Sequence, residues 1–193
     1  MVLMSMIKRI RDFVIKIPKK EGRYLIPRLL KKYAKGKVLN MGCGDIDYFK
    51  EFDNVINLDI VPKKFKNFQC WDLNKLPLPF RNNEFDTIFA SHIIEHLEAP
   101  YLVLRECRRI LKSGGILIIG LPNPHYISDA QLKKDYHINL ICDTTMKSIL
   151  EKIDFKIISK YHNWLIIDNF IFGYLYSKLP RYFKTDYWYV CKK

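Results

Sequence analysis

Two short stretches of this 193-residue sequence hold side chains whose types and spacing could do chemistry. The first is Val38-Leu39-Asn40-Met41-Gly42-Cys43-Gly44-Asp45, an apolar strand that runs straight into closely spaced glycines. Such a turn lets a ligand approach the backbone, because no Cβ stands in the way. The next apolar run, Val55-Ile56-Asn57-Leu58-Asp59, ends in a carboxylate seventeen residues after Gly42. A carboxylate there can accept hydrogen bonds from both hydroxyls of a ribose. The pair predicts a nucleoside-bearing cofactor at the carboxyl ends of parallel strands. A dinucleotide fingerprint would need a further glycine and a loop that tolerates a pyrophosphate. Here Asp47 stands three residues after Gly44, with Asp45 in the same loop, and two carboxylates would repel the phosphates. A cofactor carrying a positive charge and an amino group suits the loop better, which points to S-adenosylmethionine over NAD.

The second stretch is His92-Ile93-Ile94-Glu95-His96, which spells H-x-x-E-H. On a helix, His92 and His96 would share one face as zinc ligands, and Glu95 could activate a water. A third ligand would have to come from downstream, for example Glu151. The context argues against a protease, because the segment follows Glu84-Phe85-Asp86-Thr87-Ile88-Phe89 and precedes Leu111-Lys112-Ser113-Gly114-Gly115. No metal site is assigned.

The elements that must position these residues follow from periodicity. Leu3, Met6, Ile7, Ile10, Phe13, Val14 and Ile17 recur at helical spacing among basic residues, and Pro18 should end that helix. A second basic helix is predicted over Ile26 to Tyr33, with Pro27 in its first turn. This basic helical extension, residues 1–35, reads as a layer whose apolar stripe covers the domain behind it. The alternative is a helix lying on a membrane or a phosphate backbone. From residue 36 to 193 strands alternate with helices, which implies βαβ units and a largely parallel sheet. Strands are expected at Lys37–Met41, Val55–Asp59, Phe85–Ala90, Gly115–Gly120, Phe155–Ser159 and Tyr187–Cys191. Helices are expected from about His92 to Leu111 and over Thr144–Lys152. The aromatic-rich segment 160–186 separates the last two strands and reads as a lid or insertion, or as a small satellite core.

Composition narrows the class. Apolar residues make up 49% and charged residues 27%, enough to build a core, so a disordered chain is excluded. Thirty-three Lys and Arg against 20 Asp and Glu leave a formal charge of +13, which attracts anions. The five cysteines, Cys43, Cys70, Cys107, Cys142 and Cys191, form no C-x-x-C and read as reduced, mostly packed thiols of a cytoplasmic protein. No run is apolar and long enough to span a bilayer, and the N-terminus is a poor signal peptide.

Several ordered blocks give the chain a family resemblance. VLNMGCGD (38–45), NLDI (57–60), DLNKLPLPFRNNEFDTIFASHIIEHL (72–97), LRECRRILKSGGILIIGLPN (104–123) and the closing YWYVCKK resemble the class I S-adenosylmethionine-dependent methyltransferases, in their small-molecule, type 11-like branch. The resemblance covers residues 36–127 densely. It implies an α/β fold, a Rossmann-like seven-stranded, mostly parallel sheet with helices on both faces and the last strand antiparallel. It also implies cofactor contacts from Asn40, Gly42, Cys43, Gly44, Asp59, Ile60, Asp72, Leu73 and Ser91. Asp59 would take the ribose hydroxyls and Asp72 the adenine amino group, with Leu73 beside it. Asp86 reads equally as a turn-forming residue. Two positions depart from the family pattern: Asn40 stands where it has an acidic residue, and Ile46 where it has a third glycine.

The function expected is transfer of a methyl group from S-adenosylmethionine to a small molecule, anionic, sugar-containing or lipid-linked. Peripheral membrane contact would suit a lipid-linked acceptor. A hydroxyl nucleophile is helped by a general base, for which histidine is the usual choice. His92, His96, His125 and His137 are candidates, with His96 and His137 preferred. An RNA methyltransferase or binder, or a non-catalytic protein of the same fold, are the alternatives. The basic balance motivates the first, and Asn40 with Ile46 the second.

Overall fold

The computed structural model describes residues 22–124, 138–164 and 184–193. The first predicted helix, ending at Pro18, lies outside the described residues, as do His125, His137 and most of the 160–186 segment. The described elements, in chain order, are α1 (Gly22–Tyr33), β1 (Val38–Met41), β2 (Val55–Asp59), β3 (Phe68–Cys70), β4 (Phe85–Ser91), α2 (Pro100–Ile110), β5 (Leu111–Pro122), α3 (Asp143–Lys152), β6 (Lys156–Trp164) and β7 (Lys184–Lys192).

The strands form one seven-stranded sheet in the order β3-β2-β1-β4-β5-β7-β6. Every pair from β3 to β5 is parallel, whereas β7 runs antiparallel between β5 and β6. β1 is buried at all four positions, as a central strand with both faces covered must be. On one face Ile26, Leu29 and Leu30 of α1 pack with Val38, Phe89, Ile118 and Trp188. On the other, Val103, Leu104 and Cys107 of α2, with Met146 and Leu150 of α3, pack over Met41, Leu58, Ile88 and Leu117. The chain leaves β1 for β2 on one side and returns to β4 on the other. That reversal opens a crevice at the carboxyl ends of β1, β2 and β4.

Three elements differ from the sequence reading. The predicted His92–Leu111 helix is two pieces, a single 3₁₀ turn (Ile94–His96) and α2. Pro100 occupies the first turn of α2, and a proline deeper in a helix would lose a hydrogen bond and clash with the carbonyl four residues earlier. α1 begins at Gly22, so Pro27 lies inside it rather than in its first turn. β3, only three residues long, was missed altogether because so short a run carries no readable alternation.

Asn40 and Asn57 sit opposite each other in the β1–β2 register, both buried. Asn40 Nδ2 donates to Asn57 Oδ1 at 2.8 Å, and Asn57 Nδ2 donates to the Lys66 carbonyl at 2.9 Å. Asn57→Ala would leave the Asn40 amide group and the Lys66 carbonyl without these partners. The buried Asn40 orphan costs about 1–3 kcal/mol, whereas Lys66 is exposed and water can replace the lost partner of its carbonyl, so thermal unfolding of the variant is expected several degrees below the parent chain. An unchanged Tm would show that the pair contributes nothing to stability.

Candidate functional site

The cleft at the sheet's carboxyl edge is built from three loops. The first follows β1: the Gly42 and Cys43 N–H groups both donate to the Leu58 carbonyl, at 2.8 and 3.0 Å, which pins the glycine turn onto the end of β2. Gly42 has φ +65° and an added Cβ would lie 2.5 Å from Ile93 Cγ1, so only glycine fits. Gly44 also has positive φ, but a Cβ there would meet nothing within 4 Å. Its backbone therefore faces open space, as a ligand cradle must.

The second loop follows β2 and is organised by Asp59. Its Oδ2 accepts from the Gly44 N–H at 2.9 Å and its Oδ1 from the Val61 N–H at 3.0 Å. One carboxylate thus ties the glycine turn to the end of the neighbouring strand and still has lone pairs toward the cleft. Ile60 projects beside it and is 60% exposed.

The third wall comes after β3. Asp72 Oδ1 accepts from the Asn74 N–H at 2.9 Å, an Asx turn that presents Asp72 and the buried Leu73 to the same cavity. Opposite them are Ile93 and His96. Gly42, Asp59, Asp72, Leu73, Ile93 and His96 line a cavity of about 130 Å³.

The cleft thus gathers Gly42, Asp59, Ile60, Asp72 and Leu73 with His96. Cys43 lies buried in the same loop, and burial, reinforced by the Asp59 carboxylate, pushes its thiol up to about 11. Asn40 stands below the turn with its amide given to Asn57 and is not part of the cavity wall. Ser91 closes β4 beside Gly120, likewise outside the wall. Asp86 lies at the opposite end of β4, where the Lys37 N–H and Lys112 ammonium donate to its Oδ2 at 2.8 and 2.7 Å. Partial burial works against its charge, but the Lys112 hydrogen bond, the Lys37 N–H and the nearby lysine charges together outweigh it and hold the carboxyl below its ordinary range. Its role is structural.

Two features escaped the sequence reading. Trp71 borders the cavity, with its indole N–H donating to the Lys75 carbonyl at 3.1 Å. Asn139, far along the chain, clamps the segment that carries His96: its N–H donates to the Glu95 carbonyl at 3.0 Å and its Nδ2 to the Leu97 carbonyl at 2.6 Å. Nothing in local spacing could have announced that long-range strap.

The H-x-x-E-H segment does not form the helix face that zinc ligation requires. His92 has φ +51° and precedes the 3₁₀ turn, so the two imidazoles are not one helical turn apart. Among the described residues no cluster of three His, Cys, Asp or Glu is arranged to hold a metal. Glu151 belongs to α3 and pairs with Lys147 at 3.7 Å.

The thiols give a direct check on these electrostatics. At the start of α3 the Thr144 and Thr145 hydroxyls lie 3.1 Å from Cys142 Sγ, and with the local N–H groups they lower that thiol to about 7. Burial pushes Cys107 and Cys191 up to about 12. At about pH 8 the thiolate is the reactive form, so iodoacetamide should modify Cys142 well before Cys43, Cys107 or Cys191 in the folded chain. Peptide mapping showing Cys43 labelled first would contradict the buried loop.

A doubly wound sheet with a glycine turn, a carboxylate ending the next strand and a second carboxylate after the third defines a Rossmann-like protein for a nucleoside cofactor. Comparison with known proteins sharpens that class. Residues 39–119 match the family model described as a methyltransferase domain. An uncharacterised protein of Methanocaldococcus jannaschii is 36% identical over 124 residues, covering 58% of this chain and 54% of its own length. A malonyl-[acyl-carrier protein] O-methyltransferase of Legionella pneumophila is 26% identical over 137 residues, covering 61% of this chain and 48% of its own. The chain thus spans about half the length of these curated relatives. A crystal structure of an S-adenosylmethionine-dependent methyltransferase from Archaeoglobus fulgidus superposes with a TM-score of 0.62 at 24% identity, covering 89% of this chain and 94% of the other. Over residues 39–119 the chain is thus similar to the methyltransferase-domain family, and its fold is that of the Archaeoglobus methyltransferase.

Proposed function

We propose that this chain transfers a methyl group from S-adenosylmethionine to a small-molecule acceptor that is anionic, sugar-containing or lipid-linked. The observation that carries the reading is the Gly44–Asp59 pairing: an open, Cβ-free cradle whose backbone is held by a carboxylate at the cleft. S-adenosylmethionine, when bound, supplies an electrophilic methyl group on a positively charged sulfur. The residues present fit it. Asp59 would accept the ribose hydroxyls and Asp72 the adenine amino group. Leu73 and Ile60 would cover the base, and Gly42 and Gly44 would leave room for the amino-acid part. Cavities that enclose a whole ligand run upward from roughly 300 Å³. The smaller cavity between Asp59 and Asp72 thus suits one ring system, with the rest of the cofactor over Gly44.

Asn40 and Ser91 belong to the proposal as the residues under the amino-acid end. His96 is the general base on the cavity wall, and His137 the second candidate. The acceptor class rests on the charge balance: the two loops that meet the cofactor carry Asp45, Asp47 and Asp59, so the +13 surplus is displayed elsewhere and favours an anionic acceptor or its carrier. No described helix is long and apolar enough to cross a membrane.

Incubation of the chain with methyl-labelled S-adenosylmethionine and fractionated metabolite extracts tests this. Label should appear in a low-molecular-weight, anion-exchange-retained product and not with His96→Ala. Label transferred only to RNA, or to nothing while the cofactor binds, would sink the small-molecule reading.

A further inference from the structure

Behind His96 lies a carboxylate that the cofactor contacts do not use. Glu95 is 1% exposed, and neither of its oxygens accepts a hydrogen bond among the described residues. A buried carboxylate without a donor costs several kcal/mol, so its surroundings must answer it. Two imidazoles do: His92 Nδ1 lies 3.6 Å and His96 Nε2 4.0 Å from the same oxygen, Glu95 Oε1. These separations are longer than hydrogen bonds, and catalytic contacts commonly tighten when a ligand binds.

The rings are held to that carboxylate from outside. His92 sits in the left-handed region, a conformation that a non-glycine residue keeps only where its surroundings impose it. Its N–H donates to the Gly120 carbonyl at 2.9 Å, its ring meets Trp188 edge-on at 6.0 Å, and its Nε2 lies 3.8 Å from Asp186 Oδ1 on β7. Glu95 itself is fixed through its carbonyl by Asn139. His96 reaches the cavity wall beside Gly42 and Asp59. The segment therefore places an acceptor-only carboxylate between one ring at the cavity and one on the outer side.

We propose that Glu95 is a positioning residue that fixes the tautomers of both histidines, and that the basic nitrogen of His96 is consequently Nδ1. An ionised carboxylate only accepts, so Glu95 selects hydrogen on Nε2 of His96 and keeps a hydrogen on Nδ1 of His92, whose Nε2 faces Asp186. That leaves Nδ1 of His96 with a lone pair. During transfer the acceptor atom keeps the electron pair of its O–H or N–H bond and the proton passes to this nitrogen. The resulting imidazolium is balanced by Glu95. This inference rests on the methyltransferase reading for its purpose, but its geometry concerns the chain alone.

Nitrogen-15 spectra of ring-labelled histidine in the full chain test it, with His92→Asn and His96→Asn used to assign the signals. At about pH 8.5, two units above the ordinary imidazole value of roughly 6.5, His96 should show hydrogen on Nε2 and a bare Nδ1. Glu95→Gln offers a donor to one ring, so one of the two rings should switch tautomer, whereas Glu95→Asp should preserve both. A wild-type spectrum with hydrogen on His96 Nδ1, in the neutral or the charged ring, overturns the inference and needs no variant to fold. So does a Glu95→Gln spectrum with both tautomers unchanged. Calorimetry with S-adenosylhomocysteine on the same samples separates the two levels. A flat wild-type titration rejects the cofactor reading, and a normal one beside the wrong tautomers rejects this inference alone.

Discussion

Asp59→Ala should weaken binding of S-adenosylhomocysteine by roughly 30- to 700-fold while the chain stays folded. The size follows from the carboxylate's position. A hydrogen bond to a charged group contributes about 1.5–3 kcal/mol, and the ribose offers two hydroxyls to one side chain. A net loss of roughly 2–4 kcal/mol converts to that range at 1.4 kcal/mol per tenfold. A second contribution runs through the backbone. Asp59 also accepts from the Gly44 and Val61 N–H groups, so its removal loosens the cradle itself. Both N–H groups lie at the solvent-open cleft, where water can replace the lost acceptor, so the stability cost should stay near 1 kcal/mol. Asp59→Asn should fall between, because its amide nitrogen would face one of two N–H donors. Titration calorimetry reads the affinity and thermal unfolding the stability. Wild-type affinity in Asp59→Ala would remove Asp59 from the site.

The largest stability effect is expected at Gly42. Alanine there meets two obstacles that add. Its φ of +65° belongs to the left-handed region, which costs an L-residue about 1–2 kcal/mol. Its Cβ would sit 2.5 Å from Ile93 Cγ1 and 2.8 Å from Ile93 Cβ, and a β-branched side chain has few rotamers in which to retreat. Together these predict a loss of roughly 2–4 kcal/mol, or about 5–15 °C in Tm for a chain of this size. Cofactor affinity should fall with it, because Ile93 shares the cavity wall. The double variant Gly42→Ala/Ile93→Ala separates the causes. Removing the clash but not the φ penalty should give a favourable coupling of about 1–2 kcal/mol. Additive losses would mean that the two residues do not oppose each other.

The fold could be read from the sequence because its central strands are buried on both faces. Val38–Met41, apolar but for Asn40, and the unbroken apolar run Ile116–Ile119 are each followed by glycine, and buried parallel strands favour such runs. The glycine turn and Asp59 were equally legible, since their chemistry depends on residue types at short separation. What sequence could not supply was side-chain direction. Asn40 occupies the family's acidic position, yet its amide turns to Asn57 across β1–β2, a choice made by strand register rather than by spacing. The same holds for the H-x-x-E-H motif. Helical spacing of two histidines means little until the backbone is known, and here His92 is left-handed and the turn is 3₁₀.

Long-range partners were likewise invisible. Glu95 reads as a general acid–base residue in the motif, but its burial depends on its packing in the fold and its anchoring on Asn139, forty-four residues away. Asp86 shows the converse case. Its place at the start of a strand suggested either function or turn formation, and the Lys37 and Lys112 contacts at the amino end of β4 favour structure.

The central claim is that the cleft between Gly44, Asp59 and Asp72 takes S-adenosylmethionine and its product. Titration calorimetry of the full chain with S-adenosylhomocysteine tests it most directly. The account predicts saturable one-to-one binding in the parent chain, strongly weakened in Asp59→Ala and unaffected in Asp86→Asn at the far end of β4. A flat titration of the folded parent chain, or equal affinity in all three proteins, would contradict it.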